Sequence, residues 1–337
     1  MLAPGSATAG TPASESKTRA LFLLEEKRVD DIIWQLGARI EDVNITPDNS
    51  FFSADSGILL AEENFTAISA SAGLVWTIAD NNTLAFNYAR SERAPSAAEI
   101  FANGLHIATN TYEVGAGFDI QIDGDEFEIV QSNQDVKKEI SNNFDITLNY
   151  ANDSVEATLS FFINQIDNYI YERNTGLFFE GDHDDYDDDH DDDHDEHSED
   201  EPAVFAFSQQ DAKIYGFEAE IDWHFNDNLR LESYADVTRA KLDNGQNLPR
   251  IPPFRLGAEL HWENNEWHAE LGATYYASQS DIAEFETKTD GYTLVNAALN
   301  YYVEAYNNDV VLFAKANNLT NKEARVHASF IKDDAPL

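Results

Sequence analysis

FRLGAELHWENNEWHAELGATYYA, residues 254–277, reads as one apolar face folded back on itself. Phe254, Leu256, Ala258, Leu260 and Trp262 alternate with polar or small neighbours, and Trp267, Ala269, Leu271, Ala273 and Tyr275 repeat the pattern. A period of two puts each set on one side of an extended strand. Between them stands ENNE, 263–266, whose Asn pair tolerates the positive φ of a short hairpin. The stretch predicts an antiparallel pair with one apolar and one wet face.

The same alternation recurs on both sides of it. Trp34, Leu36, Ala38 and Ile40 show it, as do Leu84, Phe86 and Tyr88. Phe144, Ile146, Leu148 and Tyr150 follow, then Val155, Ala157, Leu159, Phe161 and Ile163, then Phe217, Ala219, Ile221, Trp223 and Phe225. About twelve strands are predicted, at 20–28, 31–44, 63–79, 82–92, 140–151, 153–172, 212–226, 227–241, 253–263, 265–279, 290–303 and 308–319. Many exceed the ~5–6 residues usual in a soluble sheet. They suit a tilted membrane-spanning strand, which needs ~9–11.

The connections come in two kinds. Those at 80–82, 151–153, 226–228, 263–266 and 306–309 are tight and rich in Asn and Asp; those at 45–62, 93–139, 173–211, 242–252 and 280–289 are long. The two kinds alternate, so every long excursion leaves from one end of the sheet. Short turns at one rim and long loops at the other are the asymmetry of an outer-membrane barrel. Trp34, Trp76, Trp223, Trp262, Trp267, Tyr301 and Tyr302 stand near strand ends, where an interfacial aromatic girdle would lie. A soluble sandwich accounts less well for the strand lengths, and a propeller would show a blade repeat of ~40–50 residues.

The totals narrow the function. With 21 Lys+Arg against 63 Asp+Glu the formal charge is −42, yet 42% hydrophobic and 12% aromatic residues argue for packed structure rather than disorder. Such a charge repels phosphates and excludes nucleic acid as a partner. No cysteine is present, so neither a disulfide framework nor a Cys-based zinc site is possible. No run of about 18 apolar residues predicts a spanning helix. Residues 1–19 read as a flexible leader or truncated end, without the apolar core of a secretory signal. No nucleophile elbow, phosphate-binding loop or HExxH helix points to an enzyme.

One long connection is extreme. GDHDDYDDDHDDDHDEH, 181–197, holds ten Asp, one Glu and four His. His183, His190, His194 and His197 are spaced 7, 4 and 3 apart, with Asp187, Asp191 and Asp195 among the carboxylates between them. Imidazole nitrogen and carboxylate oxygen are zinc ligands. Nickel and copper would bind the same set, so the run captures rather than selects. Calcium on the Asp oxygens is a rival use, and an acidic run can also be no more than a solvated, self-repelling loop. A tighter, more rigid site is expected deeper, around His106 with Glu99 and Glu113. His327, on the last long connection, is a further candidate for the same vestibule. Glu99 could instead close a short helix over 96–102 with Ser96 as its N-cap. Arg90 and Arg93 could bind an anionic chelate, but pairing with Glu92 or neighbouring lumen carboxylates is the favoured reading. His224, His261 and His268 fall near short turns, at the opposite end, and read as interface or structural residues.

The segment NYARSERAPSAAEIFANGLHIATNTYEVG, 87–115, closely resembles a stretch of TonB-dependent outer-membrane receptors. KKEISNNFDI, FFINQIDNYIY, AKIYGFEAEIDW, LPRIPPFRLG, FETKTDGYTLVNAAL and NNLTNKEARVHASFIKDDAPL extend the likeness toward the zinc-uptake (ZnuD-like) branch over about residues 20–337. The resemblance implies an all-β, antiparallel transmembrane β-barrel segment in a Gram-negative outer membrane. It would be about twelve strands of a 22-stranded barrel, with the plug domain and the final strand lying outside this sequence. It implies uptake of zinc or another divalent cation as cargo rather than cofactor, outer-membrane lipid around the wall, and TonB acting through the plug. A siderophore, haem, or a nickel or copper complex is the alternative cargo. A calcium-binding adhesion protein is the alternative of another class.

Overall fold

The computed structural model describes residues 10–52, 57–124, 126–179, 201–305 and 308–333. Among the described residues, besides a one-turn 3-10 helix at Asn49–Phe51, sixteen strands and one short α-helix follow in chain order: β1 (Ser14–Val29), β2 (Ile32–Pro47), β3 (Glu63–Ala79), β4 (Asn82–Arg93), α1 (Ala97–Phe101), β5 (Asn103–His106), β6 (Thr111–Val114), β7 (Phe118–Asp123), β8 (Glu126–Gln131), β9 (Glu139–Ala151), β10 (Val155–Phe178), β11 (Ala203–Asn226), β12 (Leu229–Leu242), β13 (Arg255–Glu263), β14 (Trp267–Tyr276), β15 (Tyr292–Ala305) and β16 (Asn308–Ala316). Twelve of these form one antiparallel path, β1-β2-β3-β4-β9-β10-β11-β12-β13-β14-β15-β16. The wall is therefore what the period-two pattern predicts, strand next to sequential strand.

Its side chains are distributed inside-out relative to a soluble sheet. Leu36, Ile40, Phe144, Phe161, Ile221, Leu256, Leu260, Leu271 and Leu299 are exposed on one face. The polar members of the same strands, such as Asn149, Thr158 and Glu270, are half-buried on the other. A sheet in water hides its apolar face; a sheet in lipid shows it. Aromatic pairs gather at the turn end of this apolar face. Trp223 packs against Phe225 and Trp267 against Tyr301, each with ring centroids 4.4 Å apart. Trp34, Trp76 and Trp262 are also exposed there. Among the described residues no helix is long and apolar enough to cross a membrane.

The buried core sits at the loop end instead. Val43, Ile45, Phe65, Ile100, Phe101, Tyr112, Val114, Phe118, Ile129 and Val204 pack into one cluster. It joins the upper ends of β2, β3 and β11 to the excursion between β4 and β9. That excursion and the one between β10 and β11 emerge at the same rim, because β6 pairs in parallel with β11 from Ala203 to Ala206.

Most strand ends lie within three residues of the sequence reading, and three departures are larger. β1 begins at Ser14 rather than residue 20, and the Gly10 carbonyl accepts from Asn103 N at 2.8 Å, so part of the expected leader is built into the fold. The 93–139 loop contains α1 and the short hairpins β5–β6 and β7–β8. The 173–211 loop is shortened from both sides, since β10 runs to Phe178 and β11 starts at Ala203. These extensions stand above the expected lipid band, where the alternation that marks the wall is no longer required.

Candidate metal-capture site

The site begins with the segment SERAPS. β4 ends at Arg93, and Pro95, which cannot donate to the ladder, is buried where the chain turns. Ser96 then caps α1. Its hydroxyl accepts from Glu99 N at 3.2 Å, and Glu99 Oε2 accepts from Ser96 N at 2.7 Å, a complete capping box. Arg93 donates to both Glu99 oxygens, at 2.8 and 2.9 Å, and its Nε to Glu139 Oε2 at 2.5 Å. Burial alone would raise the Glu99 carboxyl, but the Arg93 hydrogen bonds and charge hold it below the usual range. Glu99 is thus occupied in fixing the loop to the wall, and the structure does not bring it to His106. Arg90 pairs with Glu92 at 3.3 Å, as expected.

α1 delivers the chain into the β5–β6 hairpin, which carries His106 and Glu113. His106 Nδ1 lies 2.7 Å from Thr109 Oγ1 and 3.6 Å from Glu113 Oε1. Two groups therefore address Nδ1, and Nε2 is the nitrogen left to face a metal. A carboxylate behind an imidazole orients it and raises its basicity as a ligand. Burial pushes the Glu113 carboxyl up, while the charge of His106 opposes the shift.

The hairpin is clamped to the stem of the acidic connection. Tyr112 stacks on Phe179 with centroids 4.0 Å apart and planes 16° apart, and donates its hydroxyl to Asn103 Oδ1 at 2.8 Å. Burial raises that phenol to about 12, so it stays a donor. Phe179 N donates to Pro202 O at 2.9 Å, closing the stem. His183, His190, His194, His197, Asp187, Asp191 and Asp195 lie beyond it, outside the described residues.

His327 is placed elsewhere than the sequence reading expected. It is buried, with Nδ1 3.0 Å from Thr289 Oγ1 and Nε2 3.1 Å from Glu286 Oε1. Burial would raise the Glu286 carboxyl. The His327 imidazole beside it, the backbone N–H groups of Ala283 and Arg250 and the charge of Lys332 outweigh it and hold Glu286 at about 2. This buried cluster docks the last connection onto the loop end. Beside it lies a cavity of about 180 Å³ lined by Arg173, Arg250 and Lys332 with Phe205, Phe285 and Phe330. Arg250 and Phe285 adopt left-handed φ values of 59° and 58° at its edge, a conformation that costs non-glycine residues energy and clusters at functional sites. Sequence reasoning did not single out this cavity, because its residues come from five separate segments.

Several solved structures share this architecture. The copper transporter OprC is 17% identical with a TM-score of 0.70, over 94% of this chain and 44% of that one. An apoprotein form of the FrpB iron transporter from Neisseria meningitidis is 11% identical with a TM-score of 0.64, over 97% of this chain and 44% of that one. The siderophore receptor PiuA from Acinetobacter baumannii is 14% identical with a TM-score of 0.62, over 92% of this chain and 40% of that one. The chain thus spans less than half the length of these three proteins, and at such identities the likeness speaks for the fold. A family description, TonB dependent receptor-like, beta-barrel, matches residues 2–319, and the chain belongs to that family of outer-membrane proteins of Gram-negative bacteria.

Proposed function

We propose that this chain is the collecting part of a TonB-dependent receptor that imports a metal ion, and that the ion is zinc. The observation that carries the reading is the clamp between the β5–β6 hairpin and the stem of the acidic connection. Through Tyr112 on Phe179 and β6 on β11, one oriented imidazole stands at the foot of a run with four more. The run raises the local cation concentration over the barrel mouth. His106 Nε2, with Glu113 and Thr109 behind it, offers a fixed ligand on the hairpin that holds the stem of that connection. A siderophore reading draws on the basic, aromatic cavity. Its volume of about 180 Å³ is below the ~300 Å³ at which small-molecule sites begin. Two of its cations are also already paired, Arg250 with Glu172 at 3.2 Å and Lys332 with Glu286 at 3.3 Å. Size and charge both favour the bare ion.

The test is calorimetric titration of the purified chain with zinc, in competition with calcium, nickel and copper. Zinc is expected to displace calcium. His106→Ala and the replacement of all four histidines of the run by Ser should each weaken binding, and Glu113→Gln should do so by about 10-fold through loss of orientation. Calcium binding as tightly as zinc would overturn the reading, and tighter binding of a ferric tricatecholate would favour the cavity instead.

A further inference from the structure

The turn end of the wall carries a second constellation, far from the capture site. On the polar face, register aligns His224, Arg230, His261 and Glu270 across β11 to β14, with Asp222, Glu232, Glu259 and Gly272 in the next row. Glu263 of β13 faces His268 of β14 in the row below. Strand rise separates these rows from the β6–β11 pairing by roughly 60 Å along β11.

We propose that this wall holds a divalent transition-metal site formed by His261, His268 and Glu270, with Glu259 as the fourth ligand. The donor atoms of His261, His268 and Glu270 lie within 4.8 Å of one another. His268 Nε2 and His261 Nδ1 lie 3.5 and 4.0 Å from the same oxygen, Glu270 Oε1, and His261 Nε2 is 3.3 Å from Glu259 Oε1. In a zinc tetrahedron with bonds of about 2.0–2.1 Å the ligand atoms stand roughly 3.3 Å apart, so the His268–Glu270 edge is near length, while Glu259 and Glu270 address opposite nitrogens of the His261 ring. Closing the rest takes rotation of the His261 ring about χ2, a broad torsion for histidine, so that one nitrogen serves both carboxylates.

Three further observations favour a metal over simple His–Glu pairing. His261 Nε2 is buried and makes no hydrogen bond, although Glu232 Oε2 at 3.5 Å and Glu259 Oε1 at 3.3 Å flank it. Orphaned buried polar atoms are rare and call for a partner. Arg230 takes up the competing carboxylates, Glu232 at 2.6 Å and Asp222 at 3.3 Å. Glu259 and Glu270 are then left to balance a dication between neutral imidazoles. Finally, Gly272 leaves the floor open. A Cβ there would stand 2.8 Å from Glu259 Oε2, so the glycine is what lets that carboxylate lie across toward β14. Two nitrogens and two carboxylate oxygens suit zinc and its first-row neighbours, not calcium or magnesium. The site sits inside the wall at the level of Trp223, Trp262 and Trp267, where family topology puts the periplasmic rim. It is a station at the exit, independent of whatever ion the loops collect.

Cobalt titration of the full chain in detergent, read by the visible absorption of tetrahedral cobalt and by displacement with zinc, tests this. One equivalent should persist when His106 becomes Ala and the four histidines of the run become Ser. Added to that loop-end variant, His261→Ala/His268→Ala should weaken binding by at least the roughly 10–100-fold that losing an outer-shell partner costs, and the tetrahedral band should vanish. Glu232→Gln, already paired to Arg230, should leave the band unchanged. Folding is followed by the heat-dependent gel shift. If the double variant does not fold, Glu270→Gln decides, since full-affinity binding there overturns the site. A tetrahedral band that survives the double variant, or disappears with the loop-end variant alone, also overturns it.

Discussion

Arg93 grips Glu99 with both terminal nitrogens, at 2.8 and 2.9 Å, while its Nε reaches Glu139 on the neighbouring strand β9. One guanidinium thus ties the first helix of the longest excursion to two strands of the wall. Lysine cannot reproduce the planar fork, so Arg93→Lys should free α1. Arg93 is half-exposed, and the local cost is about 1 kcal/mol rather than the larger figure of a buried pair. Amide exchange in α1 and β5–β6 should quicken while the wall strands keep their protection. Unchanged exchange would show that packing of Ile100 and Phe101 alone holds the helix.

Gly115 is the second anchor. Its N–H donates to Ala102 O at 2.6 Å, and a Cβ there would fall inside contact distance of the Ile100 carbonyl. That obstacle is backbone, so it cannot swing aside. Gly115→Ala should separate α1 from the β6–β7 link at a cost of about 1–3 kcal/mol. Protease should then cut within 94–138 while the heat-dependent gel shift of the barrel persists.

Glu286 sets an acid limit on the docking of the last connection. Its carboxyl titrates at about 2 in the fold, against 4.5 ordinarily. A depressed acid contributes stability that is fully present above the ordinary value and is lost as pH falls through the folded one. Docking of the segment around His327 and Lys332 should therefore hold at pH 4.5 and weaken progressively toward pH 2. Pepsin, active across that window, should cut 322–333 faster as pH drops. In Glu286→Gln the cutting should be fast already at pH 4.5, with little further change.

The wall was legible because lipid enforces a strict period of two over many residues. The 63–79 strand has the bounds its alternation predicts. The cap of α1 was legible too, since Ser96 and Glu99 stand three apart with apolar residues after them. The short strands between β4 and β9 were not, because β5 and β6 are only four residues each, and β6 joins the wall through a non-local pairing with β11. The upper reaches of β10 and β11 leave the lipid band and drop the pattern. The His261, His268 and Glu270 cluster lay hidden for another reason. His261 meets Glu270 only through hairpin register, which the short turn after Glu263 sets by pairing it with His268. Counting outward from that turn would have found it.

Leu271 tests the wall itself. It lies midway along β14, pairs across to Leu260 and Ala297, and is exposed on the apolar face. On a soluble sheet, an exposed leucine changed to arginine costs little. On a lipid-facing one, arginine near the midplane costs about 2–4 kcal/mol. Thr274 faces the other way, with its hydroxyl 3.0 Å from that of Tyr234. Thr274→Lys should disturb the polar interior without confronting lipid. Urea-dependent folding into vesicles should therefore show Leu271→Arg strongly destabilised and Thr274→Lys much less so. The penalty for Leu271→Arg should shrink in detergent micelles thin enough for the guanidinium to reach water. Equal penalties on both faces would mean that the exposed leucines of this sheet meet something other than lipid.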